Sequence, residues 1–142
     1  MKEMDALEAL VRFARNYLEE QTPSAEDKTL AISCKALFRE WTPGKYETGD
    51  IRINPTTGCP RECITAHDST VNTDWTIDVG TIWKAYHSRK KEYALPWEQP
   101  TGAHDMYKTG EYMVFVDGKT YLCKQDTSYS PTEYLSAWEE VE

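Results

Sequence analysis

The chain has 142 residues, with Lys and Arg numbering 16 against 24 Asp and Glu, so its net charge is −8; this opposes a nucleic-acid phosphate backbone, which needs a concentrated basic face. No run approaches the ~18 apolar residues of a membrane span, and no charged-then-apolar leader opens the sequence, so neither nucleic acid, membrane nor ordinary secretion is expected. The five Trp and nine Tyr are the bulky core material that very small modules need to offset the ordering of their backbone.

Residues 3 to 20 set Met4, Leu7, Val11, Ala14 and Leu18 at alternating three- and four-residue steps, with Leu10, Phe13 and Tyr17 as a second stripe. This predicts a helix with a wide apolar face. The first stripe follows coiled-coil a and d positions for about two heptads. Met4, Leu7, Val11, Ala14 and Leu18 are therefore the candidates for oligomerisation or docking, and a homo-oligomer is expected. Gln21-Thr22-Pro23 ends the helix, and Ser24-Ala25-Glu26-Asp27 reads as the N-cap and acidic first turn of a second. Leu30, Cys34, Leu37, Phe38 and Trp41 continue at helical spacing, so the two helices are expected to cover each other as a hairpin.

From Trp41 onward the pattern is one of strands and turns. Ile51-Arg52-Ile53 and Glu62-Cys63-Ile64-Thr65 flank the Asn54 to Gly58 turn, and Tyr112 to Val116 and Thr120 to Cys123 flank Asp117-Gly118, a dipeptide suited to the positive φ of a tight hairpin. His87 to Leu95 is charged and turn-free, as in an extended connector, and holds the basic run Arg89-Lys90-Lys91. The predicted class is α+β: a helical segment over 1–39, a first β module over 40–87, a linker over 88–95 and a second module over 96–142.

The modules repeat one pattern at a period of roughly sixty residues. Trp41-x-Pro43, Tyr46-x-Thr48-Gly49-Asp50 and Cys63…Trp83 return as Trp97-x-x-Pro100, Tyr107-x-Thr109-Gly110-Glu111 and Cys123…Trp138. Trp41, Trp83, Trp97 and Trp138 are expected to clamp the strands, with Tyr46 and Tyr107 packed over the glycine turns. Asp50 and Glu111 are expected to accept backbone N–H bonds there. Cys34, Cys59, Cys63 and Cys123 read as buried thiols; a Cys59–Cys63 bridge is the alternative, and Cys59, Cys63 and His67 lack a fourth ligand for zinc, so no metal is expected. His67-Asp68 and His104-Asp105 have no nucleophile motif beside them, and the glycines build no phosphate loop. Neither catalysis nor a cofactor is expected, and His104-Asp105 reads as turn chemistry.

The order W-x-P, Y-x-x-G-D, hairpin, strand cysteine and closing Trp resembles carbohydrate-binding modules of families 5 and 12, chitin-binding-like β domains. Cys63-Ile64-Thr65-Ala66-His67 and Trp97-Glu98-Gln99-Pro100-Thr101-Gly102-Ala103-His104-Asp105 resemble the tandem form in structural proteins of tailed phages of Gram-positive hosts. The resemblance implies a non-enzymatic virion component, assembled in the host cytoplasm: a tail fibre, baseplate protein or capsid appendage that holds bacterial surface polysaccharide. The alternative is a decoration protein whose modules bind other virion proteins and no sugar. Two departures stand out. Gln125 and Asp126 occupy the places of the family's exposed aromatic pair, and Pro60-Arg61 replaces its tyrosine before the first strand cysteine.

A sugar site needs a flat aromatic face and a hydrogen-bonding rim. Trp75, Tyr129 and Tyr134 stand in polar loops and are the candidate carbohydrate-binding residues; the other reading has them capping a small core.

Overall fold

A computed structural model describes residues 3–142, with side chains from Asp5 onward, and its architecture is α+β. Helix α1 spans Glu3–Gln21. Only its C-terminal end meets the body: Leu18, 6% exposed, joins Ala31, Ile32, Phe38, Ile51, Ile53, Cys59, Tyr86 and Leu95 in one apolar cluster. Arg15 Nε donates to the Leu37 carbonyl at 2.6 Å, and Glu19 pairs with Arg39 at 3.2 Å. Pro23 lies in a 3-10 turn over Thr22–Ser24, where the Lys28 ammonium donates to the Thr22 and Pro23 carbonyls at 2.8 and 3.2 Å. Residues 5–13 are exposed throughout.

The expected helical hairpin does not form. Helix α2 starts late and runs only Thr29–Ser33, followed by a 3-10 turn over Lys35–Leu37. Two local causes are visible. Thr29 and Ile32 are β-branched, and Ser33 Oγ donates back to the Leu30 carbonyl at 2.7 Å, a side-chain bond that competes with helix continuation. Trp41 belongs to the first module, its N–H donating to the Ile53 carbonyl at 2.9 Å. The α1 stripe is therefore split. Leu18 turns into its own chain's core and Ala14 is half-buried, whereas Leu7 and Val11 stay exposed; the Met4 side chain lies outside the described residues.

In the first module, β1 (Lys45–Tyr46) pairs with β4 (His67–Asp68), and β2 (Ile51–Ile53), β3 (Pro60–Cys63) and β5 (Trp83–Ala85) form an antiparallel sheet. In the second, β6 (Leu95–Pro96), β7 (Tyr112–Val114), β8 (Thr120–Cys123) and β9 (Trp138–Val141) form a sheet whose β6–β7 pairing is parallel. The sequence repeat is a repeat of hydrogen bonds. Gly49 N donates to Cys63 O at 2.8 Å and Gly110 N to Cys123 O at 2.9 Å; Cys63 N donates to Asp50 O at 2.7 Å and Cys123 N to Glu111 O at 2.8 Å. The Asp50 carboxylate accepts from Glu47 N, and that of Glu111 from Lys108 N, both at 2.8 Å. Cys63 is in register with Trp83, and Cys123 with Trp138.

Those shared bonds explain the repeated residue types. Gly49 and Gly110 have φ of 98° and 96°, the left-handed region that side chains disfavour. Tyr46 meets Trp83 edge-on at 5.0 Å and Tyr107 meets Trp138 at 5.3 Å. Tyr46, Trp83, Tyr107 and Trp138 are buried, and Trp41 and Trp97 are half-buried against the two module cores. At the Asp117-Gly118 turn only Gly118 takes positive φ, 80°. The Asp117 carboxylate instead accepts from Lys119 N at 2.9 Å and from the Tyr121 hydroxyl at 2.8 Å, so the loop is the three-residue kind with a left-handed third position.

The chain between the sheets is tied to both. Tyr112 N donates to Ser88 O at 2.8 Å, Lys91–Tyr93 is a 3-10 turn, and Leu95 packs in the cluster that holds Leu18. His87 is buried, stacked on Tyr107 at 3.7 Å, with its Nδ1 3.1 Å from a Glu111 oxygen. Arg61 reaches from β3 to Glu98 of the second module at 3.1 Å, and also donates to the Ile77 and Trp83 carbonyls at 3.1 and 3.4 Å. A methyl group added at Gly80 would overlap the Thr101 side chain, so close approach of the modules requires glycine there.

Candidate functional site

Tyr129 and Tyr134 line one surface cleft of about 460 Å³, together with Gln99, Met106, Gln125, Asp126, Thr127, Ser128 and Glu133. They are 58% and 36% exposed. The cleft wall begins where β8 ends: Thr127 and Tyr107 exchange backbone hydrogen bonds at 2.9 and 3.0 Å, which fixes the chain as it leaves the sheet. Thr127 Oγ1 then accepts from Tyr129 N at 3.0 Å, and the Trp138 indole N–H donates to Tyr129 O at 2.9 Å.

The opposite side of this loop is a single tight turn. Ser130 O accepts from Glu133 N at 3.0 Å and Tyr134 N at 2.8 Å, Ser130 Oγ also accepts from Glu133 N at 3.3 Å, and the Glu133 carboxylate accepts from Ser130 N at 3.2 Å. This is the reciprocal arrangement of a capping box, and its Ser-x-x-Glu spacing is readable in the sequence. Pro131, buried inside it, restricts the backbone further. Both tyrosines thus stand on a loop anchored from the core.

The rim is polar and acidic. Tyr134 donates its hydroxyl to Gln125 Oε1 at 3.3 Å, and Gln99 Nε2 donates to Ser128 O at 3.0 Å. Asp126 Oδ1 accepts from Thr109 N at 2.8 Å and Thr109 Oγ1 at 3.1 Å. The Thr109 backbone bond holds the Asp126 carboxyl below its ordinary range, because hydrogen bonding favours the charged form. None of the lining residues is basic. Exposed phenol rings beside amides and carboxylates can stack on the C–H face of a sugar and bond its hydroxyls.

Trp75 stands apart, in the first module. It is 39% exposed, and its ring meets His67 edge-on at 6.1 Å. The structure brings two of the three candidate residues into one cleft and places the third elsewhere. Gln125 and Asp126, the departures from the aromatic pair, line the same cleft as Tyr129 and Tyr134. Gln99, Met106 and Glu133 complete it and were not among the candidates; Glu133 had a local signal in the capping spacing, whereas Gln99 and Met106 come from a distant segment.

The His-Asp pair at 104–105 and the strand cysteines are hydrogen-bonded to neighbouring backbone and side chains. Asp105 accepts from Thr101 N, Gly102 N and Thr101 Oγ1 at 2.9 Å each, closing the Trp97 to Asp105 loop, while a His104 ring nitrogen lies 2.8 Å from Gly80 O in the other module. The four cysteines are free thiols. Cys63 and Cys123 donate to Thr65 O and Gln125 O at 3.2 and 3.1 Å, and burial pushes both up to about 11. Among the described residues, no group of three or more His, Cys, Asp or Glu is arranged to hold a metal ion, and no helix is long and apolar enough to cross a membrane. No protein-family model matches the chain, and no curated protein matches it significantly.

Proposed function

We propose that this protein is a non-enzymatic glycan-binding component of a tailed-phage particle, attaching it to bacterial surface polysaccharide through the second module. The observation that carries the glycan reading is the pair Tyr129 and Tyr134, exposed in one cleft with Gln99, Gln125, Asp126 and Glu133 around them. The virion assignment rests on the resemblance of the Cys63 to His67 and Trp97 to Asp105 segments to tandem phage modules. The carboxylates of Asp126 and Glu133 in a lining that holds no basic residue favour neutral or amine-bearing sugars over anionic polymers, although the Lys108 charge outside the lining also acts on Asp126. A glycan array carrying neutral, amino and anionic polysaccharides tests this. The reading expects retention on the first two classes and its loss in the Tyr129→Ala/Tyr134→Ala variant; retention unchanged in that variant contradicts it.

The second reading is a virion decoration protein whose modules bind other virion proteins. It is favoured by Gln125 and Asp126 standing where an aromatic pair would be, and by the uncovered face of α1. In an assembled particle that reading places the Tyr129 and Trp75 faces against protein, so both rings resist oxidation by a water-soluble reagent; the glycan reading leaves Tyr129 reactive.

A further inference from the structure

A second cleft, of about 320 Å³, lies where the segment after α1 meets both modules, and residues within 23–28, 84–89 and 104–111 line it. The lining holds Lys28, Lys84, Arg89 and Lys108, four of the 16 Lys and Arg of a chain whose net charge is −8. Glu26, Asp105 and Glu111 share the cleft, but their carboxylates do not neutralise these cations by contact. Asp105 accepts from Thr101 and Gly102, Glu111 faces Lys108 N and the His87 ring, and Glu26 is exposed to solvent. Among the described residues, the one ion pair that the four cations make is that of Lys84 with Glu62, at a loose 3.9 Å.

Two groups taken out of water point to an anion in this cleft. Lys28 is half-buried, and its ammonium donates to the Thr22 and Pro23 carbonyls, which leaves one of its three N–H groups free. Burial holds this ammonium below its ordinary range, a cost that a bound negative charge offsets. His87 lines the cleft and is 7% exposed, with Nδ1 3.1 Å from Glu111. An ionised carboxylate only accepts, so Nδ1 carries the proton and Nε2 is the remaining ring position; Nε2 is buried without a hydrogen-bond partner.

We propose that this cleft binds one phosphate group, either free or as the monoester of a small hydroxylated molecule. Ammonium and guanidinium groups converging from three segments suit the several oxygens of a phosphate. The His87 ring serves in either protonation state: Nε2 accepts from a P–OH group when the ring is neutral and donates to a phosphate oxygen when it is charged. A long polyanion is disfavoured, because the chain's overall negative charge repels it outside the cleft. The site shares only Met106 with the lining of the Tyr129–Tyr134 cleft and does not rest on the glycan reading.

Calorimetric titration of the full chain at low ionic strength, with inorganic phosphate and with glucose 6-phosphate, tests the site. The wild type binds one equivalent with a dissociation constant below about 1 mM. Arg89→Gln/Lys108→Gln removes two exposed side-chain charges that make no ion pair among the described residues. It weakens binding about tenfold or more and leaves the melting temperature of the free protein unchanged. Tyr129→Ala/Tyr134→Ala binds phosphate as the wild type does, which separates this site from the glycan cleft. Tighter binding of glucose 6-phosphate assigns a monoester ligand and equal binding assigns free phosphate, and either upholds the site. No saturable binding of either probe at roughly 10 mM, or a charge variant that binds as the wild type does, overturns the proposal.

Discussion

The indole N–H of Trp138 donates to the carbonyl of Tyr129 at 2.9 Å, so the side chain that closes the second module's core also holds the loop that carries the cleft. The equivalent Trp83 of the first module is fully buried, and its indole nitrogen has no hydrogen-bond partner. One repeated residue has therefore been given two different duties.

This difference predicts unequal costs. Trp138→Phe removes packing and a hydrogen bond and leaves Tyr129 O without its donor, whereas Trp83→Phe removes packing together with an unpaired buried donor. Thermal or urea unfolding should show Trp138→Phe to be the more destabilised variant by about 1 kcal/mol. Equal losses, or a larger loss for Trp83→Phe, contradict the assignment. Trp138→Phe should also loosen the cleft loop, seen as faster amide exchange at Tyr129 and Ser130.

Arg61 links the two modules. The guanidinium pairs with Glu98 and donates to two carbonyls, with both charged side chains mostly buried. Arg61→Met leaves Glu98 and those carbonyls unpaired, at a cost of about 3 kcal/mol. Because the pair crosses between modules, the loss should lower the unfolding of both modules together. A first-module transition that moves alone, with the second unchanged, contradicts the latch.

The strand cysteines make stability fall in alkali. Burial raises the folded-state thiols of Cys63 and Cys123 from 9.0 to about 11. A raised folded value contributes stability in full below pH 9 that is lost as the pH climbs toward 11. Burial also pushes the Tyr86 and Tyr107 phenols upward, which acts in the same direction at still higher pH. Melting curves should therefore shift downward over that interval. At pH 8 a thiol-specific chromogenic reagent should label half-buried Cys34 first, and Cys59, Cys63 and Cys123 only on unfolding; rapid native labelling of Cys63 or Cys123 contradicts their burial.

Much of the scaffold was legible because the repeat uses residues with few alternatives. A left-handed turn asks for Gly49 or Gly110, and a tiny core asks for Trp and Tyr, so spacing alone located both hairpins, whereas the short strands β1, β4, β5, β6 and β9 carried no such signal. What stayed hidden depends on distant partners. The early end of α2 follows from a serine that bonds backward, and the orientation of α1 from Leu18 finding Ile32 and Leu95. Tyr129 and Tyr134 could be named from their polar loop, but their shared cleft needed Gln99 and Met106, which no local window connects to them. Trp75 carried the same polar-loop signal and lies in the other module, because a local signal does not report which surface a loop joins.

The Tyr129–Tyr134 cleft is tested most directly by a wall-polysaccharide pull-down of the full chain against Tyr129→Ala, Tyr134→Ala and Trp75→Ala, with unfolding curves for each. The wild type should be retained, each tyrosine variant should lose about 1–3 kcal/mol of binding, roughly five- to 150-fold, and Trp75→Ala should bind as wild type does. A folded wild-type chain that is not retained, or tyrosine variants retained as well as it is, would contradict the cleft as the functional site.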